Sequence, residues 1–405
     1  MENLVFDWNW TSVALVAVGY VCTIRLLRYR TEGSLQKKYP YKSRETMKKM
    51  TLQEAYEIQK VLFSQEFPFT AEKALQFALF RTYGIPSIST LLVKTRQLST
   101  RSTVGKRYAD TAVLIEEFMG NAPNHPRTIA AISRMNYLHA IYQKQNLISN
   151  DDLLYTLSLF ALEPMRWFAR YEWRSLNDLE KCAFGVFWKA QGDAMGIDMS
   201  CLSSKEAGSG LEWMEKLEAW SDAYEEKAMV PGISNKTTAD QTVAVLLWDV
   251  PSALHPFGRK VVSALMDERL RKAMMYDAPP SWLQSTVEGA LKGRAVFIRY
   301  LMPPRPYWLR HRNIDEEPDS DGRLHFTYYA AEPWYVRRNI WTRNDLTAWV
   351  KWMMGNPIPD KQFASDGYLI PEVGPKHAFG KGLKEQEIEE EKLRKMKRGG
   401  CPFAI

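Results

Sequence analysis

No charged residue lies between Asp7 and Arg25, and residues 10–27 read WTSVALVAVGYVCTIRLL. A run of this kind can satisfy its apolar side chains in only two places, a lipid bilayer or a protein core, and its flanks choose between them. At ~1.5 Å rise per residue the uncharged stretch reaches ~26 Å, just short of a ~30 Å hydrocarbon core, so one pass through a thin membrane is feasible. Glu2 and Asp7 precede the run, and Arg25, Arg28, Arg30, Lys37 and Lys38 follow it. A cleaved signal peptide has the reverse charge order and a small-residue cleavage site, so the segment is expected to be retained as an anchor. The positive-inside rule then keeps the basic flank cytosolic and sends the N-terminus across. A buried core helix is the alternative. The sequon Asn9-Trp10-Thr11 falls on the lumenal side close to the bilayer, and Asn235-Lys236-Thr237 on the cytosolic side.

The remaining chain has the make-up of a folded protein. Of 405 residues 45% are hydrophobic and 25% charged, which supports a substantial core and argues against disorder. Aromatic residues make up 12%, with 14 Trp, enough for broad apolar cavities or a surface that meets lipid headgroups as well as a packed core. A formal charge of +7 favours an anionic partner, either an acidic leaflet or a phosphorylated ligand. Nucleic acid is the weakest of the anionic partners and is not expected, because the cations are dispersed among acids and no zinc finger, RNP-like run or isolated basic helix organises them. Cys22, Cys182, Cys201 and Cys401 form no close pair, which suits a reducing compartment. Cys401 stands five residues from the end, so the terminal CPFAI does not fit a prenylation signal.

Four regions follow: the lumenal N-terminus and anchor at 1–30, a helical domain at 31–302, an extended aromatic and Pro-rich arm at 303–382, and a charged tail at 383–405. From about Glu45 to Met302 the apolar spacing is helical, with few alternating β-branched runs, so the fold class is all-α. Thr51 with Glu54 predicts a capping box before AYEIQKVLF, and Ser175 with Asp178 another before LEKCAFGVFWKA. Asp151 or Asp152 is placed to cap LLYTLSLFAL, with Pro164 kinking or ending that helix. After Pro303 the texture changes to PPRPYW, IDEEPDSDG and HFTYYAAEPWYVRRNIW, read as an arm folded onto the domain, then a helix over NDLTAWVKWMMG. The tail KGLKEQEIEEEKLRKMKRGG reads as a solvated helix.

Common catalytic signatures are absent: no Walker loop, no dinucleotide-binding glycine fingerprint, no HExxH, no convincing GxSxG, no CxxC and no P450-like cysteine. Six histidines remain. His125 and His255 each precede Pro, where turns or helix starts are favoured, and His311, His325 and His377 sit among charges in the C-terminal half. His139 differs. It lies in PRTIAAISRMNYLHAIYQKQN, a helix with Pro126 in its first turn, and steps of three and four residues put it on a face with Ile129, Ile132, Met135 or Asn136, and Tyr142. A neutral imidazole on such a face serves either as a hydrogen-bonded core histidine or as an iron ligand, and spacing does not separate the two. In KRYADTAVLIEEF, Arg107 and Thr111 share one face with Asp110 beside them, a pair able to orient an anionic propionate or a bound oxygen species, or simply a solvated helix shoulder.

The runs EFPF, LQFALFRTYGIPSIS, KRYADTAVLIEEF, SRMNYLHAIYQ, LLYTLSLFALEPMRWF, DERLRKAM and GGCPFAI together resemble the fungal endoplasmic-reticulum-bound oxygenases typified by MpaB of mycophenolic acid biosynthesis. The resemblance extends from about Lys38 to the C-terminus and includes an anchor of the same kind. That family is distantly related to latex clearing protein, a rubber oxygenase whose all-α domain carries haem b. The resemblance implies a globin-like or latex-clearing-protein-like helical haem domain, with His139 as the axial ligand to the iron and Arg107 and Thr111 beside the cofactor. Arg134 and Tyr142 are expected as supporting residues around it. Where the rubber oxygenases carry a Lys before that Thr, this chain has Asp110, and their proposed glutamate base has no counterpart here.

What the resemblance implies is an enzyme of the endoplasmic-reticulum membrane, with its catalytic domain cytosolic. Haem and dioxygen would cleave a carbon–carbon double bond in the prenyl side chain of a secondary metabolite, such as a mycophenolic acid precursor. The rival reading is a membrane-tethered haem- or lipid-binding protein without catalysis. A third is an oxidoreductase without haem.

Overall fold

In a computed structural model the described residues are 10–96, 98–202, 208–248, 250–327, 332–338, 352–353, 357–396 and 398–403. The uncharged N-terminal run forms helix α1 (Trp10–Arg28), long and apolar enough to cross a membrane and mostly exposed. Then follow α2 (Arg30–Lys38), α3 (Arg44–Met47) and α4 (Leu52–Val61), a π turn (Leu62–Glu66), α5 (Pro68–Thr82) and α6 (Pro86–Thr95). The body continues with α7 (Arg101–Gly120), α8 (Pro126–Gln143), α9 (Asn150–Tyr171), α10 (Asp178–Ala194), α11 (Gly210–Ala228) and α12 (Ile233–Leu246). It closes with α13 (His255–Leu265), α14 (Glu268–Ala273), α15 (Ser281–Leu301) and, after the arm, α16 (Leu383–Lys395). Among the described residues all regular structure is helical. The β pairing there amounts to three isolated bridges, Ile314 with Phe326, Leu324 with Tyr368 and Phe326 with Val336.

Local signals explain most of the helix starts. Thr51 and Glu54 form the predicted capping box, each side chain bonding the other's backbone N–H. Pro126 opens α8, and the His125 ring accepts a hydrogen bond from Arg127 N, so this histidine is a cap. Three expectations need correction. Ser149, not Asp151 or Asp152, caps α9. Helix α10 starts at Asp178 because Asn177 and Glu180, not Ser175 and Asp178, make the box; Glu180 is further held by Arg174 at 2.7 Å. Pro164 neither ends nor bounds α9, which Ser149 caps and which runs on to Tyr171. An internal proline costs ~3 kcal/mol, but Leu159–Pro164 and Phe168 are buried and tertiary packing carries the helix past it.

The main core lies where α5 and α9 pack together and where α10 packs on α4 and α11. Helices α10 and α11 approach so closely that a Cβ on Gly185 would lie 1.9 Å from the Gly210 carbonyl oxygen. A second core joins α7 and α8 to the arm through Val113, Leu114, Ala131, Phe326, Tyr368 and Val373. Buried polar links fasten it: Tyr335 donates to Asp110 (2.6 Å), and Tyr368 and Arg127 both bond Glu117. Asp110 is therefore a tether for the arm, paired also with Lys106.

The tail forms the largely solvent-exposed charged helix expected of it, and it is docked on the body along one edge. Helix α16 packs on α8 with Gln386 and Leu393 buried, and Ser133 donates to the Gln386 carbonyl. Beyond it, Arg398 bonds Gln191, and the Leu52 N–H bonds the Gly400 carbonyl. One apolar side chain and a few backbone partners suffice to dock a helix whose charges point outward. The helix expected over NDLTAWVKWMMG, and part of the aromatic run before it, fall largely outside the described residues.

Candidate functional site

Helix periodicity builds one wall of an apolar cavity directly. On α7, Arg107, Thr111, Leu114, Ile115 and Phe118 recur at helical steps and face inward; on α8, Met135, Leu138, His139 and Tyr142 do the same. The end of α5 adds Tyr83, α6 adds Leu91 and Leu92, α9 adds Leu157 and Phe160, and α10 adds Trp188. The cavity holds about 240 Å³, just below the ~300–1,000 Å³ of ordinary ligand pockets, and is lined mostly by apolar side chains. Trp188 stacks on Phe160 at 5.9 Å and meets Phe118 edge-on at 6.2 Å, so this end of the cavity is walled by packed aromatic rings.

Two polar groups stand out in that lining. His139 has no hydrogen-bond partner among the described residues, and burial, reinforced by the nearby Arg107 charge, lowers its pKa to about 4. Its ring is therefore neutral at physiological pH and forms part of the lining of an apolar space. Arg107 bonds the Thr111 hydroxyl, which in turn donates to the Arg107 carbonyl at 2.9 Å, and no carboxylate pairs with Arg107 among the described residues. An unpaired guanidinium on an apolar wall calls for an anionic ligand.

His139, Arg107, Thr111 and Tyr142 thus meet at one cavity, and Arg134 does not. Arg134 is fully buried and donates to the carbonyls of Val373 (2.7 Å), Ala378 (2.9 Å) and Lys381 (2.9 Å). It sits five residues before His139, ~140° round the helix, and so faces the arm. Asn136, weighed as a neighbour of His139 on its face, turns to α10 and α16 and bonds the Ala194 carbonyl.

Three wall residues gave no sequence signal. His377 and Pro375 reach the cavity from the arm, from a Gly- and Pro-rich stretch with no period. Tyr83 is completely buried, its hydroxyl facing Thr242 without a well-formed hydrogen bond, and burial pushes its pKa up to about 12. The Arg107 charge is felt at both Tyr83 and His139. Among the described residues no three His, Cys, Asp or Glu side chains gather to hold a bare metal ion, so a 2-His-1-carboxylate site is not built from them. The donor set fits a macrocycle that brings four nitrogens of its own: one imidazole for the iron and one cation for a carboxylate edge.

No family model matches the chain. Curated relatives do. The ER-bound oxygenase mpaB' of Penicillium brevicompactum is 45% identical over 392 residues, 95% of this chain and 92% of the relative. The ER-bound oxygenase mpaB of the same species is 41% identical over 375 residues, 92% and 88% of the two chains. A third, mpaB of Penicillium roqueforti (strain FM164), is 49% identical over 271 residues, 66% of this chain and 91% of the relative. Identity at this level extends along almost the whole length of the chain. The chain is an oxygenase, an oxidoreductase that belongs to the ER-bound mpaB/mpaB' family.

Proposed function

We propose that the protein uses haem b, with His139 as axial ligand, to cleave a carbon–carbon double bond in the prenyl side chain of a membrane-soluble secondary metabolite, such as a mycophenolic acid precursor. The observation that carries the reading is the pairing, inside one apolar cavity, of an uncharged imidazole without a hydrogen-bond partner and a guanidinium without a carboxylate partner among the described residues. Haem, when bound, supplies the dioxygen chemistry that cuts the alkene and leaves a carbonyl at the cut end.

The protein's own residues do the rest. His139 presents its neutral ring over the whole physiological pH range, because burial holds its pKa near 4. Arg107, set by Thr111, orients a carboxylate of the cofactor or of an acidic substrate. Tyr83 stays protonated and stands as a hydrogen-bond donor where sequence alone offers no proton-handling group. Leu91, Leu92, Leu157 and Phe160 hold a flexible isoprenoid chain and keep water from it. Helix α1 places this pocket at the bilayer, where a prenylated substrate concentrates. Its basic C-terminal flank puts the catalytic domain on the cytosolic side of a single pass, with the N-terminus in the lumen.

The test is the absorbance spectrum of the purified wild type beside His139→Ala, followed by turnover of a prenylated aromatic acid with dioxygen. A Soret band and cleaved product in the wild type, both lost in the variant, are expected. A wild type without the band, or a variant with normal haem and activity, refutes the assignment.

A further inference from the structure

From Gly289 to Asn313 the chain carries six Lys or Arg and no Asp or Glu. Within that stretch Val296, Phe297, Leu301, Met302, Trp308 and Leu309 are all exposed, Trp308 by 78%. Single exposed apolar residues are ordinary on a protein surface, but a run of them edged by cations is not. Lys292, Arg294, Arg310 and Arg312 pair with Glu288, Glu172 and Glu316, whereas Arg299 and Arg305 are bonded to no acid among the described residues. Here α1 lies against α15 and says what covers it. Tyr20 donates to the Leu301 carbonyl at 2.7 Å, and Arg28 bonds the Met302 carbonyl, satisfying backbone oxygens that the end of α15 leaves open. Arg25 sits over the Tyr300 ring at 5.5 Å, and Arg299 donates to the Tyr29 hydroxyl at 3.2 Å.

Depth follows from this register. Tyr20 lies five residues before Arg25, so at ~1.5 Å per residue it sits ~7 Å inside the cytosolic edge of the apolar run. The carbonyl it bonds lies at the same depth. We infer that the C-terminal half of α15 and the segment through Leu309 form a second membrane-contacting element, a foot sunk into the cytosolic leaflet beside α1. An interfacial element buries its apolar face ~5–10 Å into the headgroup and acyl boundary, the depth the Tyr20 bond sets. Arg299 and Arg305 lie around it with stems able to run along lipid and heads that reach anionic phosphate. The domain is then held to the bilayer at two points and cannot swing freely about its anchor. This inference rests on α1 being in the membrane, as proposed above.

Photolabelling of the full chain tests it, in vesicles of phosphatidylcholine and phosphatidylinositol that carry a diazirine on one acyl chain, with adducts mapped by peptide mass. Adducts on α1 and also on residues 296–309 are expected, and those on 296–309 disappear in a Phe297→Glu/Trp308→Glu variant while α1 stays labelled. Adducts confined to α1 overturn the foot and leave the anchor standing; no adducts on α1 overturn the anchor and the foot with it. Lysine cross-links joining residues 292–310 of two copies, without lipid adducts there, assign the patch to self-association and equally overturn it.

Discussion

Arg134→Ala is expected to loosen the arm and with it one lip of the cavity. The guanidinium is fully buried and meets three carbonyls at 2.7, 2.9 and 2.9 Å, two of which, Val373 and Ala378, flank Pro375 and His377 on the cavity wall. Deleting it orphans three acceptors at about 1–1.5 kcal/mol each and removes packed stem atoms worth about 1–2 kcal/mol. Relief from burying a cation returns part of this, which leaves a net loss of about 3 kcal/mol. Arg134→Met keeps the stem and isolates the hydrogen-bond share. Urea titration of the cofactor-free protein in detergent reads the difference as a lower midpoint at unchanged slope, and limited proteolysis reads new cleavage between residues 373 and 382. A loss under about 1 kcal/mol with the arm still resistant would refute the clamp. A normal stability with altered cofactor affinity would instead restore Arg134 to the site.

Further outcomes follow from the same geometry. His139 has its pKa lowered from 6.5 to about 4 in the fold, so the unfolded chain binds more protons between those values and stability falls as pH drops through that window. Replacing it by Phe is expected to remove about 3 kcal/mol of that fall in urea titrations at pH 7 and pH 4. Buried Glu66 and Glu116, raised to about 7, act with the opposite sign but equally in both proteins, so an unchanged pH slope in the variant sinks the reasoning. Tyr83→Phe deletes a hydroxyl without a well-formed bond, so stability should shift by less than about 1 kcal/mol while turnover drops about tenfold or more. Unaltered turnover would exclude Tyr83 from the reaction. Gly185→Ala drives a methyl into the Gly210 carbonyl and should cost about 3 kcal/mol or more, visible as a lower urea midpoint or loss of soluble expression; a neutral result would mean α10 and α11 are less tightly packed than described.

What the sequence determined by itself was whatever depends on local angle and charge order. The uncharged run and its basic flank mark α1, and the 3.6-residue period marks the helical class. The same period brings Arg107 with Thr111, and His139 with Tyr142, onto shared faces, because residues three and four apart overlap on any helix. Family resemblance, rather than spacing, singled out His139 among core histidines. Tertiary structure alone decided which body each face meets. Arg134 and His139 lie on one helix ~140° apart, a separation the helical period gives, but nothing in the neighbouring sequence says that one face meets the arm and the other the cavity. His377 and Tyr83 reach the same space from segments about 240 and 60 residues from His139, one without periodicity and the other at the end of a helix, so no local pattern could place them. The docking of α16 is decided the same way: one buried leucine among charges is invisible to composition, but a matching surface on α8 makes it a packed helix.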